Sequence, residues 1–121
     1  MPSVGRRVLV VDDDRSFRSL VAAILRSWGH DVVAEAGTVE DALAQARETR
    51  PDTALVDIGL PDGDGLELTR LLRRLPQQPR VILVSSDGDA ANGPAARAAG
   101  AAAFFAKDDL VGLPFRETIA G

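Results

Sequence analysis

Residues 53–65 read TALVDIGLPDGDG, and the way this stretch is parsed decides the fold. The apolar run Ala54-Leu55-Val56 is too short for a buried helix and reads as a buried strand. It delivers one carboxylate, Asp57, and then breaks into a loop of Gly, Pro and Asp. Asp57 is thereby expected at the carboxyl end of a strand, the edge where open parallel α/β sheets bind their ligands.

Working outward, the same grammar recurs. Val8-Leu9-Val10-Val11 is a second apolar run, ending in Asp12, Asp13 and Asp14. Phe17, Leu20, Val21, Ile24, Leu25 and Trp28 then form an apolar stripe at helical spacing, with Arg15, Arg18, Ser19 and Arg26 on the other face. Gly29 is placed as its C-cap, and Asp14 either caps its N-terminus or joins the acid cluster. A weaker strand over 31–35 follows. Thr38 is the expected N-cap of a helix from Val39 to about Arg50, with Ala42, Leu43 and Ala46 turned inward and Pro51 stopping it.

Beyond the opening stretch, Leu68, Leu71, Leu72 and Leu75 mark a helix over 66–75, ended by Pro76 and Pro79. Val81 to Val84 is a fourth buried strand, ending in Ser85-Ser86. The spacing of Gly93 and Pro94 predicts only a short helix over 94–99, with Pro94 at its first position. A fifth strand over 102–106 carries Phe104 and Phe105, one facing the core and the other outward, and ends at Lys107. The last helix is expected over about 114–120. Five strands alternating with helices through short connections imply a parallel sheet with helices on both faces.

Composition narrows the function. With 121 residues and 45% hydrophobic content, one globular domain spanning 1–121 is expected, with no DNA-binding or other output domain. A formal charge of −4 argues against direct nucleic-acid binding, which needs a basic patch. The absence of cysteine excludes disulfides and thiolate metal sites. No apolar run approaches a membrane span or a signal-peptide core, so a soluble, cytoplasmic protein without membrane contact is expected.

Four strands end in polar groups: Asp12 and Asp13, Asp57, Ser85 and Lys107. In a parallel sheet these ends share one edge. Clustered carboxylates repel, and protonation or a cation relieves them. Oxygen ligands without His or Cys suit Mg²⁺, which takes one or two carboxylates together with water and phosphate. A divalent ion, a lysine and a hydroxyl around one carboxylate is what a phosphoryl group passing to Asp57 would need.

These features resemble the receiver domain of bacterial two-component response regulators over essentially the whole chain. The resemblance is carried by VLVVDDD at 8–14, DIGLPDGDG at 57–65, VILVSS at 81–86 and AGAAAFFAKDD at 99–109. Lys-Asp-Asp after the fifth strand is similar to receivers that precede LuxR-type DNA-binding domains. The resemblance implies a flavodoxin-like, doubly wound (βα)5 sheet in the order 2-1-3-4-5. It implies that Asp57 accepts a phosphoryl group from a sensor histidine kinase, a phosphotransfer protein or a small donor. Mg²⁺ (or Mn²⁺) would be held by Asp13 directly, Asp12 through water, Asp57 and the Gly59 backbone carbonyl. Ser85 would bond the phosphoryl group, Lys107 would pair with it, and Phe104 would swing inward as Ser85 moves. Pro61 and Gly65 match the loop that shapes the pocket. Gly59 is expected to leave an attacking water unblocked, and Asp87 to orient it.

Such a protein acts on nothing but its own aspartate, so an enzyme in the ordinary sense is not expected. Its output face in the family is the fourth helix, fifth strand and last helix, through which a homodimer or an unidentified downstream protein is the expected partner. Two other readings compete. A pseudo-receiver would bind its partner constitutively, although every acceptor-site group is retained. A haloacid-dehalogenase-like phosphatase would use Asp12 and Asp14, but Arg15 and Ser16 continue that motif poorly. His30 reads as structural, Trp28 as part of the core stripe, and Asp62 and Asp64 as turn residues.

Overall fold

The computed structural model describes residues 5–86 and 92–121. Strands β1 (Arg7–Val11), β2 (Asp31–Ala36), β3 (Thr53–Asp57), β6 (Arg80–Ser85) and β7 (Ala103–Ala106) form the main sheet. Two further strands, β4 (Gly59–Leu60) and β5 (Gly63–Asp64), make a small antiparallel hairpin. The helices are α1 (Arg15–Ser27), α2 (Val39–Thr49), α3 (Gly65–Arg73), α4 (Asn92–Ala99) and α5 (Leu113–Ala120). A 3₁₀ turn, Lys107–Asp109, links β7 to α5.

The main sheet is parallel throughout, in the order β2-β1-β3-β6-β7, which is the flavodoxin-like order expected. Alternate side chains feed two cores. Leu9, Val11, Ala54, Val56, Val81 and Leu83 pack with Ala42 and Ala46 of α2, Leu68 and Leu72 of α3 and Ala96 of α4. Val8, Val10, Leu55, Ile82 and Val84 pack on the opposite face with Val21, Ala22 and Leu25 of α1 and Phe115 and Ile119 of α5. Burial on both faces explains why the strands read as unbroken apolar runs.

Helix ends follow the local chemistry. Asp14 is a cap, its Oδ1 accepting the Ser16 and Phe17 N–H groups at 3.0 and 3.2 Å. Gly29, at φ +91°, closes α1: its N–H donates to the Arg26 carbonyl and the His30 N–H to that of Leu25, a Schellman pair. Thr38 Oγ1 accepts the Asp41 N–H at 3.0 Å, and Asp64 Oδ1 the Glu67 N–H at 2.7 Å.

Several expectations are corrected. Leu20 is 59% exposed, not part of the buried stripe; Ala22 takes the inward place beside Val21 and Leu25. Phe104 and Phe105 are both half-buried, one against each core, because helices lie over both faces of the sheet. Helix α3 starts at Gly65 and ends at Arg73. Helix α4 starts at Asn92, so Pro94 is its third residue; the first four N–H groups of a helix have no internal partner, and proline loses nothing there. Asp62 and Asp64 do more than turn the chain: Asp64 caps α3, and Asp62 accepts N–H groups at the start of α2. Among the described residues no helix is long and apolar enough to cross a membrane.

Candidate functional site

Asp12 follows β1 and extends its ladder, its N–H donating to the Ala36 carbonyl at 3.0 Å. Its side chain is buried, 1% exposed. One oxygen, Oδ1, accepts the Asp14 N–H at 2.8 Å. The other, Oδ2, accepts no well-formed hydrogen bond and meets the Lys107 ammonium at 2.6 Å. Asp13 is exposed and Asp14 caps α1, so the three successive acids have three different surroundings.

Asp57 ends β3, and its pairing with Val84 puts it at the same edge of the sheet as Ser85. Its Oδ1 accepts the Gly59 N–H at 3.2 Å, and its Oδ2 lies 3.3 Å from Lys107 Nζ. Oxygens of Asp12, Asp13 and Asp57 all lie within 4.8 Å of one another. Burial pushes the Asp57 carboxyl above its ordinary value and the Asp12 charge adds to this, while Lys107 and the Gly59 N–H pull it back only in part. Burial alone would lower Lys107, but its contacts with Asp12 and Asp57 outweigh that and raise it.

The donor set fits a small hard cation. Opposite ligands on Mg²⁺ lie about 4.1 Å apart, and one oxygen from each of the three carboxylates falls within 4.8 Å of the others. Asp12 Oδ2 is buried and faces only the Lys107 ammonium, so it is an oxygen that such an ion could share.

The other expected residues are placed as follows. Ser85 is buried at the end of β6, opposite Ala106 in register and one step from Lys107. Phe104 pairs with Leu83, two residues before Ser85, and lies with Leu83 in the core on the α2–α3–α4 side. Pro61 is exposed in the turn of the β4–β5 hairpin. Gly65 is required by close approach: a Cβ there would stand 2.4 Å from the Asp57 carbonyl oxygen. At Gly59 a Cβ would meet nothing within 4 Å, so the space on that side of the residue is open. Asp87 lies outside the described residues.

Three contacts were not read from the sequence. Arg18 donates to the Asp12 carbonyl at 2.5 Å, fixing the acid run from behind. Asp62 accepts the Val39 and Glu40 N–H groups at 2.7 and 3.1 Å, stapling the Asp57 loop to the start of α2. Phe17 lies under the Lys107 ammonium. Only Asp62 had a signal, since an acid in a Gly-Pro loop seeks N–H donors.

The response regulator receiver domain model matches residues 8–111. The chain belongs to that family. Among curated relatives, this receiver is 37% identical over 108 residues to the KDP operon transcriptional regulatory protein KdpE of Escherichia coli, covering 89% of this chain and 44% of that protein. It is 42% identical over 87 residues to the DNA-binding transcriptional activator DevR/DosR of Mycobacterium tuberculosis, covering 70% and 40%. A two-component response regulator of the LuxR family from Aurantimonas has a similar structure, with TM-score 0.79, 27% identity and coverage of 97% and 96%. The receiver spans less than half the length of the curated relatives it matches.

Proposed function

We propose that this receiver is a phosphorylation-controlled switch of a two-component system, with Asp57 as phosphoacceptor. The observation that carries the reading is the convergence of Asp57 with Asp12, Asp13 and Lys107 at one sheet edge. A carboxylate oxygen of Asp57 forms the new P–O bond as the P–N bond of a kinase or phosphotransfer-protein phosphohistidine breaks. The Lys107 ammonium, already 3.3 Å from Asp57, then pairs with the phosphoryl oxygens. Ser85 donates its hydroxyl to the same group, and Phe104, on the neighbouring strand, follows it.

Asp12, Asp13, Asp57 and the Gly59 carbonyl would hold Mg²⁺. Bound there, the ion supplies positive charge against the crowded carboxylates and the incoming phosphoryl oxygens. The open space at Gly59 leaves room for the water that later hydrolyses the acyl phosphate. The protein turns over no substrate other than its own aspartate. Its output passes by protein contact through α4, β7 and α5, with a homodimer on that face as one form to be tested by sizing the protein with and without beryllofluoride.

Incubation with Mg²⁺ and acetyl phosphate, followed by intact-mass measurement, tests the acceptor. Wild type is expected to gain one phosphoryl group, and Asp57→Asn none. An adduct that persists in Asp57→Asn would sink the assignment of Asp57. The absence of any adduct in wild type, with phosphoramidate as a second donor, would favour a constitutive protein-interaction module instead.

A further inference from the structure

Helical spacing reads Phe17 as core, and it does pack against the α1–α5 core. Its ring also lies 4.2 Å from Lys107 Nζ, measured to the ring centroid. The same ammonium meets Asp12 at 2.6 Å and Asp57 at 3.3 Å, and its side chain is 18% exposed. The cation therefore has carboxylates and an aromatic face as neighbours, and little water.

That placement has consequences for a lysine. Its stem is flexible and its head is a compact point charge, so carboxylates alone do not fix its direction. Asp12, the nearer acid, draws it away from Asp57. An aromatic face attracts a cation through the ring quadrupole, and in a desolvated site this reaches roughly thirtyfold in an equilibrium constant. The backbone that carries the ring is tied to the acid run, because the Phe17 N–H donates to Asp14 Oδ1 at 3.2 Å, and the ring packs on the α1–α5 core. A leucine could fill the same core volume but would leave that flank of the ammonium without an attractive partner.

We propose that Phe17 is a positioning residue for phosphotransfer, its ring holding the Lys107 ammonium where it spans Asp12 and Asp57. This rests on the phosphoacceptor reading above. Loss of the ring lets the ammonium settle on Asp12 or swing to solvent, so the phosphoryl group arrives at Asp57 without its cation in place.

The test compares wild type, Phe17→Leu and Phe17→Tyr in acetyl phosphate labelling with Mg²⁺, after urea unfolding has shown that each is folded. Phe17→Leu is expected to label several-fold more slowly, roughly three- to tenfold, and Phe17→Tyr within about twofold of wild type. Rescue by tyrosine separates a ring effect from simple core filling. A second readout needs no labelling: proton NMR of the Lys107 ε-methylene should show an upfield ring-current displacement in wild type and Phe17→Tyr, absent in Phe17→Leu. Folded Phe17→Leu labelling as fast as wild type overturns this inference alone. So does a Lys107 ε-methylene without displacement in wild type, which remains decisive if Phe17→Leu fails to fold. A wild type that takes no phosphoryl group overturns the acceptor reading and this inference with it.

Discussion

A nucleophile set among other acids carries a cost that its surroundings only partly relieve, and Asp57 shows the consequence. Its carboxyl is held above the ordinary 3.8, first by burial and then by the Asp12 charge. An acid with a raised folded pKa binds its proton more tightly folded than unfolded. Stability is therefore lost as pH rises from the ordinary value through the raised one, and the full penalty is present above that window. Asp57→Asn removes the charge while keeping the shape. In the absence of metal, the variant is expected to melt at a higher temperature than wild type at about pH 7. The difference should shrink as the pH falls toward 3.8, because the folded wild-type carboxyl takes up its proton above the ordinary value. Melting curves across that range in chelator check it; an Asp57→Asn variant less stable than wild type at neutral pH would contradict it. The same substitution that removes the acceptor is thus expected to steady the fold. Asp57, Asp12 and Lys107 could be located from the sequence because strand ends in a parallel sheet share an edge. Phe17 could not, since a stripe at helical spacing says nothing of what a ring meets besides the core.

At the scale of elements, the short polar side chains set the boundaries. Asp14, Thr38 and Asp64 each accept N–H groups at a helix start. Thr38 was legible because a β-breaking Gly37 and an acidic first turn surround it. Asp64 was not, because the hairpin β4–β5 hides the start of α3 inside a stretch that reads as one loop. The two-residue strands are too short to show an alternating side-chain pattern. Leu20 shows the opposite failure: its spacing is right, yet the neighbouring Ala22 faces the sheet and Leu20 remains exposed. Asp64→Ala leaves the Glu67 N–H without its partner and is expected to lower stability by about 1 kcal/mol. Asp64→Asn, which keeps an acceptor oxygen, should lose only a fraction of that. Urea unfolding of both variants distinguishes a cap from a loop residue, since equal and negligible effects would show that the bond contributes nothing.

Across the whole molecule, the functional edge is one end of a sheet whose other end is fastened by polar contacts. Arg6 N–H donates to His30 Nδ1 at 2.9 Å, and its guanidinium reaches the Ala120 carbonyl, so the entry to β1, the exit of α1 and the end of α5 meet there. His30 reads from sequence as structural, and its buried place agrees. Its imidazole is held below the ordinary 6.5 by burial first and by the Arg6 charge next, with Asp52 opposing and Arg116 adding a little. Protonation would also turn the Nδ1 acceptor into a donor facing a donor. The unfolded chain therefore binds a proton that the folded protein resists. Stability is complete above 6.5 and falls as the pH drops through that value to the lowered folded one, below which the loss levels off. The chain has one histidine and no cysteine, so few other groups titrate between about pH 5 and 8. Asp57, whose raised value acts in the opposite direction, is removed by working in Asp57→Asn. In that background, His30→Asn keeps an acceptor near the Nδ1 position but does not titrate. Its unfolding free energy is expected to be flatter across the range than that of its His30 parent. Parallel slopes in the two proteins would show that the Arg6–His30 bond persists on acidification and that His30 is not the source of the pH dependence.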